Sequence, residues 1–527
     1  MGTRKTAGAA IAAGHYGAGM SAIRQAFPQQ LQVAENDHQQ IVEIVRDAAG
    51  ELTEAFQFLH LMDLSPCIFA FACPFVDAPL QFGIGLGKFR GPFVDAPLPR
   101  LSEPSRSQYD ASGREEVRME KSEFYRDARC DLTGPLDRVR VIDATTSWAG
   151  PMCSCILADL GADVIKVEAR EGEVARRIPP ALPGHEKQIG FAQATVNRNK
   201  RSLTLDLRRD EGRDIFLKLG ARSDIIVQNF RPGTFARWGV GYDHVRAVKP
   251  DIIYVSISGY GQFGPIHDRV AYDPLAQAMS GFISLNGTPD GPPTKAPTWL
   301  CDDLGGLHGA IGALAALRHR DRTGEGQHVD VAMLDAMLFQ SNGNLTLGAM
   351  GVELKRWGNE IPFSVPTNTY KCRDGLVMAG VLLDTHWKVM ARMAGRHDLA
   401  EQNDFATIPG RMGHRAECDA MFAKWCETRT VDEAVAECAK NNIPCAKVRT
   451  YAEAARCPHT LERDMLQNVA QEDGKLAPIT GPAAKFSRTP TRIRSGAPAL
   501  GADTDNILEE LGIDANARRR LREGGVI

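Results

Sequence analysis

One aspartate stands inside an apolar run, and that setting gives it chemical interest. Residues Asp321 to Gln340 read DRTGEGQHVDVAMLDAMLFQ. Thr323-Gly324-Glu325-Gly326-Gln327 is a polar turn, and His328-Val329-Asp330-Val331 alternates as a strand does. Ala332 to Phe339 is then apolar except for Asp335. With Met333, Leu334, Met337, Leu338 and Phe339 around it, this carboxylate is expected to lose solvation, which raises its pKa from about 3.9. Burying such a group unpaired is costly. Two roles therefore stand open: a structural one, as a helix N-cap or half of a buried ion pair, or a chemical one. The residue follows a strand pattern and opens a helical one, and a helix N-terminus favours the charged form against the desolvation.

The elements that must position such a group alternate from residue 136 onward. Apolar runs at 139–143, 164–168, 203–206, 225–228 and 252–257 read as short buried strands, with helical patterns such as 151–160 and 210–222 between them. That order predicts an α/β fold with a parallel sheet and crossover helices. The first turn, Ala144-Thr145-Thr146-Ser147-Trp148-Ala149-Gly150-Pro151, lacks G-x-G-x-x-G, so a dinucleotide site is not expected despite the Rossmann-like order. A smaller α+β region spans about 367–460, with Gly375 to Val381 as a strand.

Residues 1–135 differ in texture. Pro74-Phe75-Val76-Asp77-Ala78-Pro79-Leu80 recurs as Pro92-Phe93-Val94-Asp95-Ala96-Pro97-Leu98, and two copies are too few for a solenoid. Gly83-Ile84-Gly85-Leu86-Gly87-Lys88 lacks the spacing and the following Ser or Thr of a phosphate loop. Residues 36–60 form one amphipathic helical pattern, and 100–130 read as a polar linker.

Composition excludes several classes. A net charge of −3 gives no electrostatic footprint for nucleic acid. No run of eighteen apolar residues predicts a membrane span. Met1 to Thr6 fits a myristoylation pattern that is short enough to match by chance, and the small residues at Ala7 to Ala13 precede no clear cleavage site. The twelve cysteines lack metal-ligand spacing, with Cys153-x-Cys155 the only tight pair, and read as reduced residues of a cytoplasmic protein.

From about Leu136 to Ile527 the sequence resembles the family III CoA-transferases, the group containing formyl-CoA:oxalate and carnitine CoA-transferases. Nine segments carry the resemblance in order: LDRVRVIDATTSWAGP (136–151), LGADVIKVE (160–168), NRNKRSLTLDLR (197–208), DIIVQNFRPGTFARWG (224–239), YVSISGYGQFGP (254–265), AYDPLAQAMSG (271–281), RTGEGQHVDVAMLDA (322–336), NNIPCAKV (441–448) and APALGADTDNILEELG (497–512). The resemblance implies a Rossmann-like large domain split in sequence, a small domain inserted in it, and two chains interlocked as a homodimer. On this chain the expected parts are an N-terminal extension at 1–135, the first part of the large domain at 136–350, a linker and small domain at 351–460, and the rest of the large domain at 461–527.

The resemblance also implies the chemistry. It makes Asp335 the covalent nucleophile, which attacks an acyl-CoA donor to form an aspartyl anhydride, then an aspartyl-CoA thioester that a carboxylic acid acceptor resolves. The coenzyme A thioester is a substrate, with no permanently bound cofactor and no metal. CoA contacts carry over to Trp148 and Ala149, to Leu205, Asp206, Leu207 and Arg208, to Asn229, Phe230 and Arg231, and to Arg237 and Tyr272. The formyl-CoA enzymes have His where this chain has Thr146 and Arg where it has Ala169, for which Arg170 is the neighbouring substitute. Their glycine-rich loop is not recognisable near 357–370, so oxalate does not carry over as the acceptor.

Two rival readings belong to other classes. An α-methylacyl-CoA racemase needs an acid/base pair flanking the α-carbon. Asp302 fits the acidic position, but Ala271-Tyr272-Asp273 stands where the racemases have G-H-D, and Tyr is a poor base near neutral pH. A non-catalytic acyl-CoA-binding protein is the other alternative.

Overall fold

The computed structural model describes residues 119–185 and 189–527, with two short paired strands at Gln108–Tyr109 and Glu115–Glu116. The helical pattern at 36–60, the duplicated segments and Gly83 to Lys88 lie outside the described residues.

Six strands form one parallel sheet: β1 (Arg140–Ala144), β2 (Asp163–Glu168), β3 (Lys200–Thr204), β4 (Ile225–Gln228), β5 (Ile253–Ser258) and β6 (Gln327–Ala332). Their order is β3-β2-β1-β4-β5-β6, so the chain reverses direction across the sheet between β1 and β4. Strands covered by helices on both faces are buried throughout, which is why β4 and most of β5 read as unbroken apolar runs. Ile142 on the central strand pairs with Ile165 on one side and Ile226 on the other.

The expected strand at 203–206 is corrected to Lys200–Thr204. Its first half is polar but buried. Lys200 Nζ donates to Asp143 Oδ2 at 2.7 Å, Ser154 Oγ and Asn197 Oδ1 at 2.9 Å, and Pro151 O at 3.0 Å. A fully satisfied lysine sits in a core where an unpaired one would be expelled.

The helices that matter for the site are α1 (Ala149–Asp159), α2 (Asp210–Gly220), α3 (Asp273–Met279), α4 (Leu300–Thr323) and α5 (Met333–Phe339). α1 and α4 cover one face of the sheet, packing on Val141, Val227 and Ile253. α2 covers the other, where Phe216 meets Ile142, Leu203 and Ile226. Ile507, Leu508, Val526 and Ile527 return from the far end of the chain to join that second core.

A separate core lies within 365–443, around Trp387, Phe422 and Val377. It includes an antiparallel sheet of Cys445–Lys447, Leu376–Gly380 and Thr367–Lys371. The part of the expected linker from 119 to 130 is instead docked. It contains a short helix, Lys121–Phe124, with Lys121 Nζ paired to Asp464 at 2.8 Å and the Arg129 N–H donating to Arg488 O at 2.7 Å. Among the described residues no helix is long and apolar enough to cross a membrane.

Candidate active site

Where neighbouring parallel strands send their chains in opposite directions, their C-terminal loops part and leave a crevice. Here that crevice lies between the turn after β1 and the turn after β4. Asn229 joins the two turns: its Oδ1 accepts the Thr146 N–H at 2.9 Å and its Nδ2 donates to Thr146 O at 2.7 Å. Ser147 is held at φ 71°, an uncommon conformation for a residue with a side chain. Glu173 stabilises it by accepting the Ser147 N–H at 2.7 Å, and its other oxygen pairs with buried Lys166 at 3.2 Å. Lys166 and Lys200 flank buried Asp143; burial opposes ionisation there, but the two cations hold the carboxyl well below the usual range. A charged, closed network thus fixes the turn that presents Trp148.

The opposite wall is the start of α4. Asp273, at the start of α3, accepts the Cys301 N–H and the Gln277 Nε2–H, each at 2.7 Å, and so anchors the first turn of α4. Trp148 Nε1 donates to Asp303 at 2.6 Å. The Trp148 ring meets Trp299 edge-on at 4.6 Å, and Phe191 stacks on Trp299 at 5.7 Å. Small residues allow this approach. A Cβ on Gly306 would lie 2.8 Å from Ala149 O, and one on Gly309 would lie 2.7 Å from Ile257 Cδ1.

Between these walls is a cavity of about 160 Å³ lined by Ser147, Trp148, Ile178, Tyr272, Asp273, Pro274, Trp299 and Asp302. Asp302 has no hydrogen-bonding or ionic partner among the described residues. Its pKa is raised to about 7, first by desolvation and then by the charges of Asp273 and Asp303. Desolvation and Asp273 also raise Asp303, against the pull of the Trp148 N–H. No group of three His, Cys, Asp or Glu side chains among the described residues is placed to hold a metal ion. A larger cavity of about 460 Å³ lies between 280–286 and 337–354, but its lining carries no titratable side chain.

Asp335 does not stand where its apolar neighbours suggested. Met333, Ala336 and Met337 turn into the core, and Asp335 itself faces outward at the first turn of α5. It is neither the N-cap, which is Ala332, nor part of an ion pair among the described residues. Partial desolvation, then Asp330, raises its pKa.

Of the expected CoA contacts, Trp148 and Tyr272 line the Asp302 cavity, with Ala149 just behind Trp148 at the start of α1. Asn229 holds the adjoining turn, and Phe230 packs on Phe235 and Trp238. Leu205 and Leu207 are core residues, since the chain leaving β3 buries its alternate side chains under α2. Asp206 is engaged by Arg208, Nε to Oδ1 at 2.7 Å. Arg231 and Arg237 are exposed beyond β4, Arg237 bonding Thr234 Oγ1 at 3.0 Å. Arg170 is exposed beyond β2, beside Gly525. The carboxylate that lines the cavity is Asp302, which was not among the expected site residues. Its sequence signal was present, since it fits an acidic position of the racemases, but its enclosure depends on Tyr272 and Trp148 from distant segments.

Comparison with known proteins shows the family of the chain. A profile described as CoA-transferase family III matches residues 136–504. An acyl-CoA transferase of Fusarium pseudograminearum is 37% identical over 407 residues, 75% of this chain and 88% of that protein. A succinyl-CoA:mesaconate CoA-transferase of Haloarcula hispanica is 36% identical over 394 residues, 73% of this chain and 98% of that protein. A succinate–glutarate CoA-transferase of Agrobacterium fabrum is 33% identical over 383 residues, 72% and 96% of the two chains. The crystal structure of a CAIB/BAIF family protein from Brucella suis superposes with a TM-score of 0.65 at 32% identity, covering 72% of this chain and all of that one.

Proposed function

The chain belongs to the family III CoA-transferases, and we propose that it moves CoA from an acyl-CoA thioester to a free carboxylic acid through covalent intermediates on Asp302. The observation that carries this reading is an unpartnered, partly desolvated carboxylate, its pKa raised to about 7, in a half-open cavity at the sheet crevice. A carboxylate near neutrality remains about half ionised at pH 7 and is a stronger nucleophile than an ordinary aspartate. Asp335 lacks this enclosure.

Asp302 attacks the thioester carbonyl, the C–S bond breaks, and an aspartyl anhydride forms with release of CoA thiolate. The thiolate attacks the Asp302 carbonyl carbon, which expels the donor acid and leaves an aspartyl-CoA thioester. The acceptor carboxylate attacks that thioester, giving a second anhydride and thiolate. Attack of the thiolate on the acceptor's carbonyl then yields the new acyl-CoA and restores Asp302. Trp148, Trp299 and Ile178 exclude water from these hydrolysable intermediates. Exposed Arg170, Arg208, Arg231 and Arg237 follow the C-terminal ends of β2, β3 and β4, where cationic side chains suit CoA phosphates. The names of two relatives place succinate, mesaconate and glutarate first among the acids to screen.

We also propose the interlocked homodimer. Leu307 and Ile311 on α4, with Phe339, Leu345 and Met350 beyond it, leave apolar side chains in the open, and a second copy of the chain is the occupant the family architecture supplies.

The test is steady-state transfer with Asp302→Asn and Asp335→Asn. The first should lose on the order of 10⁴ in turnover, as removal of a nucleophile does, while the second stays near wild type. Hydroxylamine added with acyl-CoA should convert Asp302 to a hydroxamate detectable by mass spectrometry. A label on Asp335, with full activity in Asp302→Asn, would return the chemistry to Asp335.

A further inference from the structure

Glu173 does not line the cavity at Asp302, yet its carboxylate holds two segments that do. We propose that Glu173 is a positioning residue for CoA transfer: it sets Trp148 and Ile178, from separate stretches of chain, against Asp302. The inference rests on the transferase reading.

The carboxylate is saturated with donors. Oε2 accepts the Ser147 N–H at 2.7 Å, the Thr146 hydroxyl at 3.2 Å and the Ala175 N–H at 3.3 Å. Oε1 accepts from Asn197 Nδ2 and pairs with Lys166, each at 3.2 Å. Lys166 Nζ in turn donates to Thr145 O at 3.0 Å, so cation and anion grip the same turn. Glu173 is only 8% exposed, and a buried carboxylate has no water to replace a donor it loses.

One segment is reached through Ser147. Its φ of 71° is uncommon for a residue with a side chain, and the bond from its N–H to Glu173 keeps it from relaxing. Trp148 follows directly, lines the cavity and donates to Asp303. The other segment is reached through Ala175. By accepting that N–H, Glu173 caps the 3₁₀ turn Val174–Arg177, and the next residue, Ile178, also lines the cavity. Glu168 fixes the same turn from below: it pairs with Arg176 at 2.6 Å and accepts the Glu173 N–H at 3.1 Å. Trp148 and Ala175 share one apolar cluster with Ile178, Phe191 and Trp299, so a shift of either segment is passed to the other. A misplacement of about 1 Å can cost on the order of 10²-fold in rate.

The experiment uses full-length Glu173→Gln, which keeps the size of the side chain. Its amide has one accepting and one donating end, so either way round an NH₂ group faces donors, Ser147 on one side or Lys166 on the other. Transfer is measured with the acid pair the wild type uses, starting from succinyl-CoA and glutarate, at a temperature where circular dichroism shows the variant fully folded. kcat/KM should fall at least tenfold. Adding Ser147→Gly, which takes a positive φ without help, should recover at least threefold of that loss. Wild-type kinetics in the folded variant would overturn the proposal, and so would a loss that Ser147→Gly leaves untouched. If Glu173→Gln does not fold, Glu173→Asp, which keeps the charge for Lys166 but draws the oxygens back from Ser147, is read the same way. If the wild type transfers CoA to no acid, the transferase reading fails, and binding decides the role of Glu173 alone. Calorimetry of succinyl-CoA on Asp302→Asn should then show at least fivefold weaker binding when Glu173→Gln is added, and equal affinity would overturn the role.

Discussion

Trp148 and Asp303 lie 155 residues apart in sequence and meet in a hydrogen bond of 2.6 Å. One residue closes the first turn of the sheet, and the other is the neighbour of Asp302 on α4. The bond therefore fixes the wall of the cavity relative to the carboxylate inside it. A site assembled before substrate arrives does not spend binding energy on ordering itself.

Trp148→Phe keeps the ring and removes the donor. Asp303 is then left desolvated without its partner, a loss of about 1.5–3 kcal/mol for a hydrogen bond to a charged group. Thermal unfolding should shift downward, and kcat/KM for acyl-CoA should fall about tenfold or more. Unchanged melting and kinetics would show that the bond is incidental.

The pH dependence follows from Asp302. In the mechanism proposed above only its ionised form attacks, so kcat/KM should rise through about pH 7 and level off above it. Stability should run the other way. The folded carboxyl holds its proton up to about 7, while the unfolded chain releases it near 3.9. Between those values the folded state binds more protons, so each unit of rising pH costs up to about 1.4 kcal/mol, a contribution present at pH 4 and gone above 7. Asp302→Asn should therefore melt higher than the wild type at pH 8, and the gap should shrink at pH 5. A gap independent of pH would contradict the desolvated state of Asp302.

Lys200→Met tests the network under the turn. The variant leaves Asp143 and Ser154 buried without their cation, and removing one partner of a buried pair costs about 3–5 kcal/mol. Denaturant titration should show this loss directly. A loss below about 1 kcal/mol would mean that Lys166 alone, 3.7 Å from Asp143, suffices.

A chain beginning at Asp131 should fold and transfer CoA. It forfeits the half-exposed Lys121–Asp464 pair, worth up to about 1 kcal/mol, and the Arg129 N–H bond. The melting temperature should fall by a few degrees. Insoluble protein would place residues 119–130 in the core instead.

Sedimentation of the full chain at nanomolar concentration should give a mass twice that of one chain, since interlocked copies do not part without unfolding. An active species of single-chain mass would exclude the arrangement.

Most of the sheet was legible because parallel strands buried on both faces must be apolar. The runs at 164–168 and 225–228 became Asp163–Glu168 and Ile225–Gln228. β3 was misplaced because Lys200 and Ser202 are polar, and their burial depends on Asp143, Asn197 and Asp503 from other segments. The same limit hid Asp302. Locally Cys301-Asp302-Asp303 looks like an ordinary acidic first turn of a helix, and nothing nearby shows that Tyr272 and Trp148 line a cavity with it. Asp335 is more exposed than its neighbours in sequence suggest, because a helix sends those apolar side chains to a different face, although partial desolvation still raises its pKa as expected.

The contact of Gly306 and Gly309 with α1 and β5 has a consequence for how this enzyme can diversify. Any side chain at either glycine would push α4 away and carry Asp302 with it. Asp302 is thus tied to tight helix packing, while Ile178, Tyr272 and Trp299 approach it from loops and helix ends. A substitution at any of those three positions reshapes the cavity without touching the packing that holds α4 in place.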